Sequence, residues 1–415
     1  AGLGDVKMSG VNISGQICFI FMVMQNMICA SGGIFLTQYF GAKQREGMRQ
    51  SVAFKVVASL STCIFYFLAT FVFTRPVLSL MVIGNSQADL ILDEGQKYMY
   101  LMGFIGIQMM ISSILSSSYR EIGRVRVILV ITLIAAGSNA FLNWVFIYGH
   151  LGMPRLEVEG AAYATIIAKT VEMLLLIGYT IKERPEFISF SVFKRIDWAL
   201  FGRILKKGSL LIISQMMWVL SESFTAAIYN GRGNAAVVSG MAASFSIANL
   251  FFISFDGITT ATGVLIGKSL GRNELDDARK EKTWMLSAAI IFGCIMCLVG
   301  VVTVLLVPVV FGNLSIDAQN ICRAMLLLMA LFMPLWIYVN TQLAVCRAGG
   351  DTKVGFLVDG GTTAVMIPML LILAFFTNAS PVMMYFGVKA LDVGKIIVAT
   401  HEMKKERWVV NLSNA

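Results

Sequence analysis

The sequence predicts an all-α, polytopic membrane protein built as two similar helical lobes around a central cavity. Three observations carry this expectation. The 415 residues are 57% hydrophobic and only 14% charged, with a mean hydropathy of +0.77, whereas a soluble domain carries about 25% charged residues. Apolar runs long enough to cross a bilayer recur along the whole chain. One stretch also occurs twice, 230 residues apart.

The runs come first. Hydrocarbon is about 30 Å thick and an α-helix rises about 1.5 Å per residue, so a span needs about 20 apolar residues. Eleven runs are expected: Ile17–Phe40, Val52–Phe73, Tyr98–Ser118, Val127–Tyr148, Ala161–Ile181, Ser209–Tyr229, Ala242–Gly267, Met285–Val307, Met325–Val345, Phe356–Phe376 and Val382–Ala399. The last is the poorest, because Lys389, Asp392 and Lys395 interrupt it.

Lys and Arg set the orientation. Connections after the odd-numbered runs up to the ninth hold 20 of them. Those after the even-numbered runs hold 5: Arg75, Lys97, Arg155, Arg232 and Arg323. The first set is expected to be cytoplasmic, and the tail with Lys404, Lys405 and Arg407 falls on the same side. The net charge of +9 therefore follows membrane topology. A nucleic-acid partner is excluded, since the basic residues form no single patch.

The repeat orders the spans. Gly33-Ile-Phe-Leu-Thr-Gln-Tyr-Phe-Gly41 is echoed by Gly263-Val-Leu-Ile-Gly-Lys-Ser-Leu-Gly271, and Glu46 and Arg49 by Asp276 and Arg279. Arg120-Glu-Ile-Gly123 is echoed by Arg347-Ala-Gly-Gly350 at an offset of 227. The offset covers an even number of runs, so both copies point the same way. Such parallel repeats are related by an axis along the membrane normal. The expected divisions are an N-terminal lobe (1–181), a linker (182–208), a C-terminal lobe (209–399) and a cytoplasmic tail (400–415). The linker interleaves Lys194, Arg195 and Arg203 with Phe193, Trp198 and Phe201, and reads as an amphipathic segment on the inner leaflet. The second half holds six runs and the first only five, and the first run enters from outside. The simplest account is one further helix upstream of Ala1, giving twelve, with both termini of the full-length protein inside.

Cys294-Ile-Met-Cys297 has redox spacing in wholly apolar surroundings and reads as packing. Only His150 and His401 occur, both outside the runs, so neither a histidine metal site nor a serine triad is expected in the membrane. No clustered catalytic groups point to an enzyme.

Several stretches together match a known family. They are Gly32-Gly33 through Gln38-Tyr39-Phe40-Gly41-Ala42; Tyr119-Arg120-Glu-Ile-Gly123; Asn139 and Asn143 before Phe146-Ile147; and Val158-Glu-Gly160-Ala161. The second half adds Leu265-Ile266-Gly267 through Gly271, Ala278-Arg279, and Cys346-Arg347-Ala348-Gly349-Gly350-Asp351. Arg407-Trp408-Val-Val-Asn411-Leu412 matches the end of its bacterial branch. Over its whole length the chain resembles the multidrug and toxin extrusion (MATE) transporters, within the multidrug/oligosaccharidyl-lipid/polysaccharide flippase superfamily. The family's first helix, which carries a coupling aspartate in some members, has no counterpart here. The resemblance implies two six-helix lobes forming a V. It also implies antiport, in which Na+ or H+ enters while an organic, often cationic, compound leaves. It places the protein in the inner membrane as a monomer, with lipid and small organic cations as partners and no cofactor. The alternative is a flippase for a lipid-linked precursor. Such a protein needs unpaired cations at depth, and only Lys169 and Lys389 are expected there, each beside an acid.

Ionisable residues deep in a bilayer are costly and face a partner or a wet cavity. Asp256 lies mid-run and is matched by Asn26 at the same offset. It is either a cation- or proton-binding carboxylate or a hydrogen-bonding link to a neighbouring helix. Glu222 lies in the outer half of its run, and the resemblance supports it as a second coupling carboxylate, with Na+ or H+ as its ion. Cavity candidates are Gln25, Asn26, Asn139, Asn143, Gln215, Trp218, Asn340 and Asp359. Asp359 is expected to reach water or Lys353. Lys169 and Glu172 are three apart on one helix and read as a structural ion pair, as do Lys389 and Asp392. Lys55 is expected to snorkel to the inner surface.

Overall fold

The structure, a computed structural model, describes residues 5–79, 88–232, 235–377 and 379–414. The chain start (1–4) and part of the outer connection between the second and third runs (80–87) lie outside the described residues. The first half holds α1 (Asp5–Gly41), α2 (Arg45–Phe67), α3 (Thr74–Ser79), α4 (Ala88–Gly103), α5 (Ile105–Glu121), α6 (Val125–Tyr148) and α7 (Glu157–Glu183). A π-helical turn, Leu68–Val72, prolongs α2, and a 3-10 turn covers Phe190–Lys194. The second half holds α8 (Trp198–Arg232), α9 (Ala235–Gly271), α10 (Leu275–Val310), α11 (Ile316–Ala348), α12 (Lys353–Phe376), α13 (Pro381–Ala390) and α14 (Asp392–Lys404). Among the described residues there is no strand.

Nine of the described helices are long and apolar enough to cross a membrane, and a tenth span is possible if the α4–α5 pair, bent by 46°, counts as one. The chain is a multi-pass membrane protein. The eleventh run is the exception: it is two short helices, of 10 and 13 residues, that meet at Leu391. Its three charges are what the break accommodates, as shown below.

The first helix starts earlier than its apolar run because its polar beginning is packed. Ser14 donates to the carbonyls of Gly10 and Gly95, 3.0 and 2.8 Å away. A Cβ on Gly10 would stand 2.7 Å from the Gly95 nitrogen, so α1 and α4 touch backbone to backbone there.

Both sequence echoes recur as backbone geometry. After α1, the amides of Ala42, Lys43 and Gln44 bond the carbonyls of Gln38, Phe40 and Tyr39. After α9, Arg272, Asn273 and Glu274 bond Lys268, Leu270 and Ser269 in the same pattern, 230 residues on. Lys43 and Asn273 both take the left-handed conformation, φ +56° and +64°. Gly123 and Gly350 share a second turn at φ +88° and +75°, with matching bonds at the 227 offset.

The chain divides into two compact units. One comprises Ala1–Leu36 with Arg45–Ile204, and the other Thr37–Gln44 with Leu205–Ala415. The segment expected as a linker is thus split between them. The first unit has its core at Phe21, Tyr66, Met99 and Met109, around α1, α2, α4 and α5. In the second, α9, α10 and α11 pack together and α12–α14 pack on α11 and α12. Its cores centre on Ile266, Val345 and Trp408, and on Met329, Leu370 and Tyr385.

Within the linker, Phe187, Val192 and Phe201 are buried while Phe193 and Trp198 remain exposed. Gln50 holds this segment to α2: it donates to the Arg195 carbonyl and accepts from the Asp197 amide.

Lys55 does not snorkel. It is fully buried, bonding Glu121 at 2.5 Å and the Ser117 and Ser118 hydroxyls. The reason is a notch. A Cβ on Gly32 would meet the Lys55 stem at 2.7 Å, and one on Gly33 would meet Glu121 Oε1 at 2.1 Å. The two glycines make room for an ion pair whose partners come from α2 and α5.

Candidate ion-coupling site

The break between α13 and α14 organises the charged groups of the second unit. Ser380 caps α13 by accepting from the Met383 amide, with Pro381 in the first turn. Lys389 sits in the last turn of α13 and Asp392 in the first turn of α14. A helix end favours a cation at its C-terminus and an acid at its N-terminus. Splitting the apolar run therefore gives each charge a favourable dipole that an unbroken helix would not.

These charges do not pair as their spacing suggests. Lys389 Nζ reaches across to Glu222 Oε1 on α8, at 2.6 Å. The rings of Tyr385 and Trp336 lie 5.5 and 5.8 Å from the same ammonium, within cation–π range. Asp392 instead accepts from Trp336 Nε1, at 2.8 Å, and pairs with Lys395 at 3.2 Å. The expected Lys389–Asp392 pair is thus corrected to two pairs, because α8 supplies a closer acid for the lysine.

The pattern continues inward. Lys395 lies 4.0 Å from Asp359 on α12, and Ser214 on α8 donates to the other oxygen of Asp359 at 2.7 Å. Asp359 also faces the charge of Arg347, whose Nε has no hydrogen-bond partner among the described residues. Asp359 thus engages Lys395 and Ser214 rather than Lys353. Acids and bases alternate from Glu222 to Arg347, with their side chains largely enclosed: 28% of Glu222, 12% of Lys389, 8% of Asp392 and 17% of Asp359 is exposed. Breaking a buried ion pair by removing one partner typically costs about 3–5 kcal/mol, so the members hold one another in place.

The other expected residues are placed as follows. Asp256 is exposed on α9, on the face with Leu250 and Ile253 that turns away from its own unit's core. Asn26 is likewise exposed on α1, whereas its neighbour Gln25 is buried and donates to Ser59 O and Thr62 Oγ1 on α2. Asn143 donates to Asn139 at 3.0 Å within α6, and Asn340 to the Trp336 carbonyl within α11. Gln215 is half-buried and Trp218 is 42% exposed, both on α8. Lys169 and Glu172 pair at 2.8 Å. The structure brings Glu222 and Asp359 into one network.

Sequence reasoning missed Lys395, Trp336 and Arg347, and left Lys389 in a merely structural role. The available signal was the density of charge in the eleventh run. Besides Lys169 and Lys389, Lys55, Lys395 and Arg347 are enclosed, each facing an acid. Cys294 is exposed and Cys297 half-buried on α10, both as free thiols.

Comparison with known proteins bears on these features. The family model described as MatE matches residues 1–145 and 211–379. A probable multidrug resistance protein NorM from Listeria monocytogenes is 25% identical over 264 residues, 63% of this chain and 56% of that protein. The corresponding Halalkalibacterium halodurans protein is 24% identical over 302 residues, and again the match spans less than two thirds of its length, 63%. A NorM from Listeria innocua matches at 23% over 389 residues, 92% of this chain and 83% of that one. Among solved structures, the Vibrio cholerae MATE transporter VcmN superposes with a TM-score of 0.84 at 16% identity, covering 98% of this chain and 91% of that one. An outward-facing multidrug resistance MATE family transporter superposes with a TM-score of 0.83, also at 16% identity, covering 98% and 89%.

Proposed function

Because the chain belongs to the MatE family, we propose that it is a secondary antiporter of the inner membrane that exports organic cations in exchange for Na+ or H+. Its relatives named as multidrug resistance proteins support export of drugs or toxic compounds rather than enzymatic chemistry. The observation that carries the reading is the Glu222–Lys389 pair with its continuation to Asp359. These are enclosed ionisable groups held by one another, with Lys389 and Lys395 carried on the two halves of a broken run. Discontinuous helices are where transporters hold ions.

Glu222 and Asp256 are the coupling carboxylates of this reading. An incoming ion neutralises the acid, local helices repack, and the two lobes expose the site alternately. Coupling requires that ion and substrate bind the two states unequally. Asp256 and Asn26 are both exposed on their helices, α9 and α1. Gln215 and Trp218 add a polar group and an aromatic face on α8, and Trp218 suits stacking on a flat cation. The termini of the full-length protein are cytoplasmic, the linker lies on the inner leaflet, and the protein works as a monomer without a cofactor.

The flippase alternative calls for unpaired cations to hold a pyrophosphate. Lys55, Lys169, Lys389 and Lys395 are all paired with acids, which favours the antiporter. The test is ethidium efflux from proteoliposomes under imposed ion gradients. Glu222→Gln and Asp256→Asn should each abolish gradient-driven efflux in protein that still folds. Efflux at the unaltered rate in both variants would overturn the assignment.

A further inference from the structure

An acid that couples to a dissolved cation has to be available to it, and Glu222 already has a cation. Lys389 Nζ lies 2.6 Å from Glu222 Oε1, and the lysine side chain is only 12% exposed. The ammonium is also seated against Tyr385 and Trp336, and Asp392 acts on it from the first turn of α14. The other charges of the ladder, Lys395, Asp359 and Arg347, are engaged with one another further along.

We propose that Lys389 is a tethered cation occupying the seat of a coupling ion at Glu222, so that this site is worked by protons and not by Na+. The inference rests on the antiporter reading above and deepens it by naming the ion. Two comparisons decide it. Lys389 is held at the acid by the chain and by its two ring contacts, so a dissolved ion meets a seat already filled. Na+ can bind Glu222 only by displacing Lys389 from the oxygen it holds at 2.6 Å, in a seat also bounded by the rings of Tyr385 and Trp336. A proton needs no vacancy. It adds from water to the Glu222 carboxylate, which becomes neutral and no longer attracts the ammonium.

The consequence for the fold follows from where Lys389 stands. The Glu222 contact is an ion pair that ties α13 to α8. When Glu222 is protonated that tie is lost. Lys389 keeps its charge, its two ring faces and the pull of Asp392, the residue after the junction at Leu391 where α13 meets α14. Protonation thus weakens the hold of α8 on the last turn of α13.

The test uses purified protein in proteoliposomes, with ethidium efflux followed under a pH gradient and a Na+ gradient imposed separately. For the native protein, the pH gradient is expected to drive efflux. The Na+ gradient alone should drive no efflux. Lys389→Gln vacates the seat and should acquire a Na+ response, while Lys389→Arg restores a tethered cation and should remain indifferent to Na+. Efflux by the native protein under a Na+ gradient alone overturns this inference and leaves the antiporter reading standing. So does a folded Lys389→Gln protein without a Na+ response. If neither gradient drives efflux in the native protein, the antiporter reading falls, and this inference with it. The native measurement and Lys389→Arg decide the matter even if Lys389→Gln does not fold.

Discussion

Gly41 and Gly271 each lie against the backbone of the other's helix. A Cβ on Gly41 would stand 2.3 Å from the carbonyl oxygen of Lys268, and one on Gly271 would stand 2.0 Å from that of Gln38. Gln38 and Lys268 are themselves 230 residues apart, and Thr37 touches its own counterpart, Gly267. The repeated motif therefore packs on its copy. Gly271→Ala should force this crossing apart and destabilise the protein by about 1–3 kcal/mol or more, as overpacking does. A thermal unfolding midpoint in detergent equal to that of the native protein would contradict the contact.

The tail is built onto the same crossing. Gln38 donates to the Ala348 carbonyl at 2.7 Å and accepts from the Leu412 amide at 2.6 Å, while Trp408 is wholly buried. Trp408→Ala is expected to cost about 3–5 kcal/mol. The nearby Arg279–Glu406 pair, 41% and 42% exposed, is screened by solvent and should matter far less. Thermal unfolding of the two variants side by side checks the ranking.

That exposed pair has a definite pH dependence. The Arg279 guanidinium holds the Glu406 carboxyl below its ordinary range. A depressed acid contributes stability that is present in full above the unfolded value, about 4.3, and fades as pH falls through the folded one. The protection of the tail amides against hydrogen exchange, taken relative to the intrinsic rate at each pH, should therefore fall on acidification toward that window, more so at low salt. Glu406→Gln should remove this increment, and an unchanged profile in that variant would assign it elsewhere.

Lys55→Met strands Glu121 without its partner in the glycine notch and should destabilise by about 3–5 kcal/mol. Replacing both with methionine should recover much of the loss, since apolar pairs of similar volume substitute well for buried ions. If single and double variants unfold at the same temperature, the two residues are not coupled.

Asp256 gives the opposite pattern. It is exposed on α9, and Asp256→Asn should abolish gradient-driven efflux while the unfolding midpoint stays close to that of the native protein. A large loss of stability with efflux intact would make it a structural residue.

Much of the fold was legible from residue order. A span declares itself by length and apolarity, and the turns at Lys43 and Asn273 declared themselves by a shared glycine-to-charge boundary. The site was legible in types and not in partners. Glu222 and Asp359 stood out because acids are rare in apolar helices. Lys389 was matched with Asp392 because spacing along one helix is all a sequence offers, and the break at Leu391 together with the nearness of α8 redirected it to Glu222. Lys55 was placed at the surface for a similar reason: the notch at Gly32 and Gly33 forms only when α1, α2 and α5 meet.

By itself, then, the sequence determined which segments enter lipid, that one design occurs twice, and which charges are costly enough to need a reason. Those follow from transfer energies and periodicity, which are properties of single segments. Which acid holds which base was decided only when α8, α11, α12 and the two halves of the broken span came together. An ion pair is fixed by distances of a few ångströms between residues far apart in the chain, and residue order does not encode those distances locally.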